Sequence, residues 1–374
     1  MKDAKPYSSP HLVSLGETKP LIYDLDLPGL TTIIKTWGEP AFRAGQIWQG
    51  LYKNLWDNPD QFTNLPRVLR YRLDDSFNFH NLQPGAVLES KVGETRKALF
   101  QLPDNQAVEA VLMRYNRRRT LCISTQAGCA MACVFCATGQ MGFRRNLSSG
   151  EIVEQVLYFA RQLKSQDDHV TNVVVMGMGE PFHNYDATMA AIDRLNDAQG
   201  YNLGARRFTI STVGLIPAIK RFTDERRQIN LAISLHAADD ELRSSLLPVN
   251  RKYPLETLLA ACTEYVEKTG RRITFEWALI RDINDTPEQA KKLTELLQTF
   301  RRGGSTLCHV NVIPLNPTHR YRGKATTRER AEVFQAILDK SGIPCTIRTR
   351  RGIDIQAGCG QLAVEGISPF GLNK

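Results

Sequence analysis

Apolar residues recur at helical spacing on three successive stretches between residues 28 and 79. Glycine and proline at positions 38, 40, 59 and 66 interrupt these stretches, as expected where helices end. The pattern predicts a small helical domain over residues 21–84, behind a flexible tail over residues 1–20. The apolar faces comprise Leu30, Ile33, Ile34 and Trp37, then Phe42, Ile47, Trp48, Leu51 and Tyr52, and finally Leu65, Leu69 and Leu73.

Three short runs over residues 86–91, 97–102 and 107–113 alternate apolar and polar positions, with turn residues between them. Alternation with period two predicts an antiparallel β meander, which forms an extension over residues 85–118. Glu109 is the only acid in the third run. A lone glutamate in a strand usually faces solvent.

Strand and helix patterns alternate from residue 119 to residue 350, which predicts an α/β fold with a parallel sheet, open or barrel-like. A loop and tail over residues 351–374 complete the chain. Strands are expected at 121–124, 172–176, 207–211, 230–235, 273–279, 307–313 and 345–349, and helices at about 149–164, 185–198, 215–222, 255–269, 286–300 and 328–340.

Charge and segment composition narrow the class of protein. An excess of 48 Lys and Arg over 39 Asp and Glu gives a net charge of +9, a modest indication of a polyanionic partner. We hypothesise that the helical domain docks on RNA through Arg43, Lys53, Arg67, Arg70 and Arg72, although its amphipathic faces would also suit packing on the main body. Further basic clusters occur at residues 114–119, 144–145, 206–207, 319–324 and 348–351. Several adjoin the expected active face, but any one such cluster is more often a solvated strand end.

The chain has no apolar signal segment at its start and no stretch apolar enough to cross a bilayer, so we expect a cytoplasmic protein without membrane contact. Its eight cysteines should then be reduced, and they act as ligands, catalysts or core residues. Cys129, Cys133 and Cys136 have C-x3-C-x2-C spacing and can converge on one metal centre. A structural zinc site usually needs four protein ligands, whereas an iron-sulfur cluster held by three leaves one iron open to substrate. A zinc clip completed by Cys122 or a distant residue remains the alternative.

Other candidate residues follow the predicted strands, where active sites of such folds gather. The turn Gly177-Met-Gly179-Glu180-Pro lets the backbone approach a ligand, and its carboxylate can accept a hydrogen bond from an ammonium group. Each of the remaining polar positions would by itself more often be a cap or turn residue, but together they form a ring at one rim of the sheet. They are Ser211, the run Ser234, Leu235 and His236, and Asn316.

Two further cysteines are candidates for chemistry. Cys359 lies between glycines in the segment 352–362, as in an accessible loop, whereas Cys262, Cys308 and Cys345 have the apolar surroundings of core residues. Cys122 alternates with apolar neighbours on a strand, for which burial is the ordinary expectation.

The cysteine loop, with Phe135 before its last cysteine, resembles the signature of radical S-adenosylmethionine (SAM) enzymes. In that superfamily three cysteines hold a 4Fe-4S cluster whose fourth iron binds SAM. The whole ordered set of motifs, from residue 22 to 362, resembles the radical-SAM methyltransferases that modify carbon 2 of adenine in 23S ribosomal RNA and tRNA. The resemblance implies a partial (β/α)6 TIM-type barrel. Gln356 and Gly358 stand where the family commonly has Asp and Ala, and Leu315 stands where it commonly has Trp, which puts fine positioning in doubt.

The resemblance also implies roles for these residues. Cys359 would take a methyl group from one SAM, and a second SAM, cleaved at the cluster, would yield the radical that removes a hydrogen from that methyl group and lets it add to adenine. Glu109 would remove the ring proton, and Cys122 would form a disulfide with Cys359 to release the product. SAM would lie against Gly179, Glu180, Ser211, Ser234, Leu235, His236 and Asn316. The implied targets are adenosine-2503 of 23S rRNA and adenosine-37 of some tRNAs, with reduced flavodoxin or ferredoxin as electron donor and a monomeric enzyme.

Two alternatives remain at this point. The related antibiotic-resistance methyltransferases, which act on carbon 8 of adenine, share every motif above, and only the proline of the Gly-Met-Gly-Glu-Pro turn favours carbon 2. A protein of another class, a non-catalytic RNA-binding protein with a zinc clip of Cys122, Cys129, Cys133 and Cys136, would not need the polar ring.

Overall fold

The computed structural model describes residues 19–302 and 305–363. Residues 1–18 of the predicted tail and residues 364–374 at the end of the chain lie outside the described residues. The predicted division into domains at residues 84, 118 and 350 stays a prediction.

Helices and strands occupy most of the described chain. The α-helices are α1 (Leu27–Thr36), α2 (Phe42–Tyr52), α3 (Arg67–Ser76), α4 (Ala137–Met141), α5 (Ser149–Lys164), α6 (Tyr185–Asn196), α7 (Ile216–Glu225), α8 (Asp240–Leu246), α9 (Leu255–Thr269), α10 (Pro287–Leu297) and α11 (Arg328–Lys340). The strands are β1 (Gln83–Glu89), β2 (Thr95–Gln101), β3 (Ala107–Arg114), β4 (Arg119–Cys122), β5 (Gln126–Gly128), β6 (Phe143–Asn146), β7 (Asn172–Val175), β8 (Phe208–Thr212), β9 (Asn230–Ser234), β10 (Ile273–Leu279), β11 (Arg301–Arg302), β12 (Ser305–Thr306), β13 (Cys308–Pro314) and β14 (Cys345–Ile347).

Within the described residues, ten strands form one sheet in the order β1-β2-β3-β4-β7-β8-β9-β10-β13-β14. Neighbouring strands run parallel from β4 to β14 and antiparallel from β1 to β4. The predicted antiparallel extension is therefore continuous with the parallel sheet. Because β1 and β14 lie at opposite ends of this strand order, the described sheet is a partial barrel, and the predicted fold class is confirmed.

Alternating strand positions separate the core from the barrel interior. Phe208 and Ile210 of β8 are fully buried in the apolar core. Ser211, which follows Ile210 on the same strand, is only half-buried. Successive strand residues point to opposite faces, so the polar positions of the parallel strands face inward together. This alternation places polar side chains such as Ser211 on the inner face of the barrel.

Short elements around the cysteine loop were not predicted. Strand β5 pairs antiparallel with β6, and α4 lies between them. Elements of three to five residues are too short to show a periodic hydrophobic pattern. By contrast, the long helix α5 begins as predicted, with Ser148 as its N-cap and Glu151 completing a capping box.

The N-terminal helices are anchored on the outer side of α5 and α6. Arg161 of α5 donates hydrogen bonds to the Leu55 carbonyl (2.9 Å) and the Tyr23 hydroxyl (2.8 Å). Arg194 of α6 donates to the carbonyls of Leu25 (2.9 Å) and Asp24 (2.6 Å). The apolar faces of α1 to α3 therefore join the main core, and only their outer faces remain for a partner.

No helix in the described part of the chain combines the length and apolar character needed to cross a membrane.

Candidate active site

Two adjoining cavities open at the carboxyl ends of the parallel strands. We call them the cysteine-loop cavity and the arginine-lined cavity. The first is lined by residues that include Cys129, Cys133, Cys136, Gly179, Glu180, Ser211, Ser234, His236, Glu276, Asn316 and Cys359. The second is lined by residues that include Val111, Tyr115, Cys122, Cys136, Asn316, Arg348, Arg350, Arg351, Gly358 and Cys359. Cys359 and Asn316 contribute to both, so the two cavities meet at the C-terminal cysteine.

The cysteine loop is held by backbone hydrogen bonds at both ends. The Cys129 N–H donates to the Gly142 carbonyl (3.1 Å), and the Ala137 N–H donates to the Gly360 carbonyl (2.8 Å). Burial raises the pKa of Cys129 to about 12 and that of Cys133 well above its usual value. A bound metal centre would reverse this effect because metals bind the thiolate form.

The thiols of the cysteine loop suit an iron-sulfur cluster. Cys129, Cys133 and Cys136 all line the cysteine-loop cavity, and Cys136 also lines the arginine-lined cavity, where Cys122 lies. Three soft sulfur donors match a cluster that keeps one iron open to substrate.

The glycine-rich turn fixes a buried carboxylate beside the cysteine loop. Gly179 has a φ of +102°, and a Cβ there would lie 2.6 Å from the Gln126 side chain. The Glu180 carboxylate accepts hydrogen bonds from the N–H groups of Val213 (2.9 Å) and Phe182 (3.0 Å). Desolvation raises the pKa of Glu180 to about 7. A carboxylate has further lone pairs, so this side chain can still accept from an ammonium group.

Most of the predicted polar ring lies in the cysteine-loop cavity. The hydroxyl oxygens of Ser211 and Ser234 lie 3.3 Å apart. Nδ1 of His236 accepts a hydrogen bond from the Ala278 N–H (2.9 Å), which leaves the proton of the neutral imidazole on Nε2. Burial lowers the pKa of His236 to about 3, so the ring is neutral at physiological pH.

Two members of the predicted polar ring, Asn316 and Leu235, differ in where their side chains lie. Asn316 has a buried side-chain oxygen with no hydrogen-bond partner among the described residues, as expected for an atom that binds a ligand. The Leu235 side chain is fully buried and lines neither cavity. The Leu235 N–H donates a hydrogen bond to the Glu276 carbonyl (3.0 Å), so the structure does not bring the Leu235 side chain to the polar ring.

Sequence reasoning missed two charged residues. The Arg243 guanidinium is fully buried and donates to the carbonyls of Val213 (2.8 Å) and Ser234 (3.2 Å), which ties together two loops of the cavity. Glu276 lines the cysteine-loop cavity, and desolvation raises its pKa. The signal for Glu276 was available, because it is the only acid in its apolar strand, but Arg243 lies on a helix too short for a pattern.

Cys122 and Cys359 face the same arginine-lined cavity from opposite parts of the chain. Cys122 is half-buried on β4, and burial raises the pKa of its thiol to about 12. Cys359 is exposed as a residue, yet desolvation by the cavity walls raises the pKa of its thiol, while Arg348 lowers it. Cys262, Cys308 and Cys345 are buried, as predicted for core residues.

Glu109 does not face solvent, so the ordinary expectation for a lone strand glutamate is wrong. It is 1% exposed, and Nζ of Lys97 lies 2.9 Å from its Oε1. The neighbouring strand β2 supplies the cation that pairs with the buried carboxylate. Glu109 lines neither cavity, but it shares a strand face with Val111, which lines the arginine-lined cavity.

Some of the basic clusters lie at the arginine-lined cavity, and others lie elsewhere on the protein. Arg351 and Arg118 lie over the Tyr115 ring, 4.5 and 5.0 Å from its centroid, at the arginine-lined cavity. Arg145 is instead paired with Glu151 (2.7 Å). Residues 206–207 precede β8 and so lie at the amino ends of the strands, away from the cavities.

Fold and site together define a radical SAM enzyme. The model of the Radical SAM superfamily matches residues 123–297, and that of the ribosomal RNA large subunit methyltransferase N-terminal domain matches residues 22–78. A crystal structure of a radical SAM methyltransferase from Sphaerobacter thermophilus superposes with a TM-score of 0.88 at 47% identity, covering 92% of this chain and 99% of that one.

Curated relatives narrow the class further. A probable dual-specificity RNA methyltransferase RlmN of Chloroflexus aurantiacus is 52% identical, covering 91% of this chain and 92% of its own. The dual-specificity RNA methyltransferase RlmN 1 of Myxococcus xanthus is 47% identical, over 93% and 95% of the two chains. The chain belongs to the RlmN family of RNA methyltransferases and is a SAM-dependent enzyme. The alternative of a non-catalytic zinc-dependent RNA-binding protein is therefore wrong.

Proposed function

We propose that this enzyme methylates carbon 2 of adenosine in 23S rRNA, at adenosine-2503, and in some tRNAs, at adenosine-37. The observation that supports the proposal most directly is the shared cavity of Cys122 and Cys359, next to the cysteine-loop cavity. Carbon 2 lies between two ring nitrogens and is too electron-poor to attack a methyl cation equivalent. Its methylation needs a protein group that carries the carbon and a second group that releases the product.

The cysteine-loop cavity suits the two cofactors of the family. Cys129, Cys133 and Cys136 would hold a 4Fe-4S cluster, which supplies the electron for SAM cleavage when bound. Glu180 offers a carboxylate to the SAM ammonium group, and Asn316 offers its unpaired side-chain oxygen. The remaining SAM contacts would come from Gly179, Ser211, Ser234 and His236, and from the backbone of Leu235.

The two cysteines of the arginine-lined cavity would act in sequence. The Cys359 thiol loses its proton and its sulfur takes a methyl group from SAM, a displacement that a soft thiolate performs readily. Removal of a hydrogen atom from the S-methyl group by the deoxyadenosyl radical lets its carbon join adenine, and the unpaired electron of the adduct would return to the cluster. Glu109 removes the ring proton. The Cys122 thiol then loses its proton and its sulfur bonds to the Cys359 sulfur. The electron pair of the bond between Cys359 and the transferred carbon stays with that carbon, which takes a proton from solvent to become the methyl group. Two electrons from an external donor, such as reduced flavodoxin or ferredoxin, restore both thiols.

RNA would reach this site along basic and aromatic surface. Arg348, Arg350 and Arg351 line the cavity that holds both cysteines, and guanidinium groups bind phosphates in bidentate fashion. The outer face of α3 presents Val68 and Tyr71, 76% and 75% exposed, beside Arg67. Exposed aromatic and basic residues together are typical of surfaces that bind unpaired nucleotides.

The proposal is tested by reaction in vitro with protein-free 23S rRNA fragments, tRNA and SAM carrying a trideuterated methyl group. We expect mass spectrometry of the modified nucleotide to locate the methyl group on carbon 2, with two deuterons retained and one proton gained from solvent. A methyl group on carbon 8 would assign the enzyme to the antibiotic-resistance branch, and three retained deuterons would contradict hydrogen removal. The Cys359→Ala variant is the negative control, for which we expect no methyl transfer.

A further inference from the structure

A buried ion pair joins two strands of the antiparallel extension. Lys97 of β2 and Glu109 of β3 are 4% and 1% exposed, and Nζ of Lys97 lies 2.9 Å from Oε1 of Glu109. Burying two charges costs free energy that their mutual attraction often fails to recover, and apolar residues would fill the same space at least as well. Such a pair therefore invites a functional explanation.

Lys97 has a second contact, with the segment that carries the C-terminal cysteine. Its Nζ donates a hydrogen bond to the Gln356 carbonyl (3.2 Å). Gln356 has a left-handed backbone with φ of 52° and lies in the turn before Cys359. One ammonium group thus contacts both the carboxylate of Glu109 and the backbone of this turn.

Strand register places the ion pair on the cavity side of the sheet. Lys97 lies opposite Val111, and Val111 lies opposite Cys122. Residues directly opposite each other share a face, so Lys97 and Glu109 lie on the same face as two residues that line the arginine-lined cavity.

The charge of Lys97 opposes the effect of burial on Glu109. Desolvation raises the pKa of Glu109, whereas Lys97 and the Ala363 N–H lower it. Lys97 is the charged side chain that lowers the pKa of this carboxyl group. Without it, burial would favour the protonated acid, which cannot accept a proton.

We propose that Lys97 is a positioning residue for methyl transfer: its ammonium group holds the Glu109 carboxylate and joins it to the loop that carries Cys359. The inference rests on the proposed function, in which Glu109 is the base. When the C–H bond at carbon 2 breaks, the proton goes to the Glu109 carboxylate and the electron pair stays in the adenine ring. Lys97 touches neither substrate nor cofactor in this scheme.

The test compares Lys97→Gln, which can still donate hydrogen bonds but has no charge, with Lys97→Arg, which keeps the charge. For Lys97→Gln we expect normal S-methylation of Cys359 by intact-protein mass spectrometry and accumulation of a covalent RNA adduct on denaturing gels. Product formation should fall about a hundredfold, as for loss of a general base. The acidic limb of the pH–rate profile for product formation should move to higher pH because the pKa of Glu109 rises. Lys97→Arg should restore most of the rate.

Three controls separate the possible outcomes. Lys340→Met, on the exposed end of α11, should leave all readouts unchanged. If Cys122→Ala gives no covalent adduct, the proposed function itself fails. If that variant does trap an adduct but Lys97→Gln turns over with an unchanged pH profile, the role of Lys97 is overturned. Equal loss of Cys359 methylation and product, without a pH shift, would also overturn it, since that indicates only a structural role.

Discussion

The side-chain amide of Asn316 donates a hydrogen bond to the backbone carbonyl of Cys359, 3.0 Å away. This contact joins the end of β13 to the C-terminal loop and places a residue of the predicted SAM ring directly against Cys359, which we propose to carry the methyl group. A Cβ on Gly358 would lie 2.6 Å from the same amide nitrogen. Gly358 therefore leaves room for this close approach.

We expect Asn316→Ala to lower the methylation rate about fivefold, because a hydrogen bond worth roughly 1 kcal/mol no longer holds the Cys359 loop. SAM affinity should fall as well, since the unpaired side-chain oxygen is lost. Steady-state kinetics and SAM titration measure both effects. Asn196→Ala, which removes a comparable hydrogen bond to the Leu203 carbonyl (2.8 Å) outside the cavities, is the matched control. Equal effects of the two variants would contradict a role at the site.

Alanine variants of the two cysteines in the arginine-lined cavity should stop the reaction at different steps. Cys359→Ala should abolish transfer because no sulfur accepts the methyl group, and Cys122→Ala should trap a covalent RNA adduct because the releasing thiol is absent. Denaturing gels of labelled RNA, followed by mass spectrometry of the adduct, distinguish the two. Cys308→Ala, in the core, should do neither. Normal turnover by either cavity variant would refute the two-cysteine scheme.

His236 should make the folded protein sensitive to acid. Its pKa is about 3 when folded and 6.5 in the ordinary state, so the unfolded chain takes up a proton first as the pH falls. The free energy of unfolding should therefore decrease below pH 6.5 by roughly 1 kcal/mol per pH unit. Urea denaturation at pH 4 to 7 tests this against His236→Asn, which tolerates the left-handed φ of 61° and can accept from the Ala278 N–H. Identical pH slopes for the two proteins would exclude the effect.

The buried guanidinium of Arg243 should matter for stability. Arg243→Leu removes the guanidinium group that donates to the carbonyls of Val213, Ser234 and Leu235, which should cost about 3 kcal/mol. Arg243→Lys should rescue little, because an ammonium group cannot reproduce the planar fork of donors. Urea denaturation measures the loss. Arg328→Leu on the exposed face of α11 should show no measurable change. A stable Arg243→Leu protein would show that the carbonyls find other donors.

The outer face of α3 should contribute to RNA affinity but not to SAM chemistry. Deletion of the N-terminal helices would expose the apolar surface that packs on α5 and α6, so point variants are the better test. Tyr71→Ser combined with Arg67→Ser should weaken RNA binding at least about fivefold and reduce its salt dependence, while Cys359 methylation is unchanged. Filter binding at two salt concentrations measures this. Val333→Ser, a 50% exposed position on α11, is the control, and equal affinities would remove α3 from the RNA surface.

Local features were readable from the sequence because their information lies within a few residues. The spacing of Cys129, Cys133 and Cys136 predicts a metal-binding loop. Long amphipathic stretches such as α5 and α9 were predicted within a few residues of their bounds. The Gly-rich turn at Gly179 and the glycine-flanked Cys359 are likewise local signals. The same holds for the order of strands and helices, which indicates a parallel α/β sheet.

Only the tertiary structure decided which distant residues meet and which charges are buried. Cys122 and Cys359 share a cavity because β4 and the C-terminal loop converge at one rim of the barrel. Glu109 and Lys97 are covered through the register of β2 and β3, which no single strand pattern encodes. Arg243 is buried because carbonyls from three separate positions surround it. Burial of a charge depends on partners contributed by other segments, and periodicity along one segment carries no information about them.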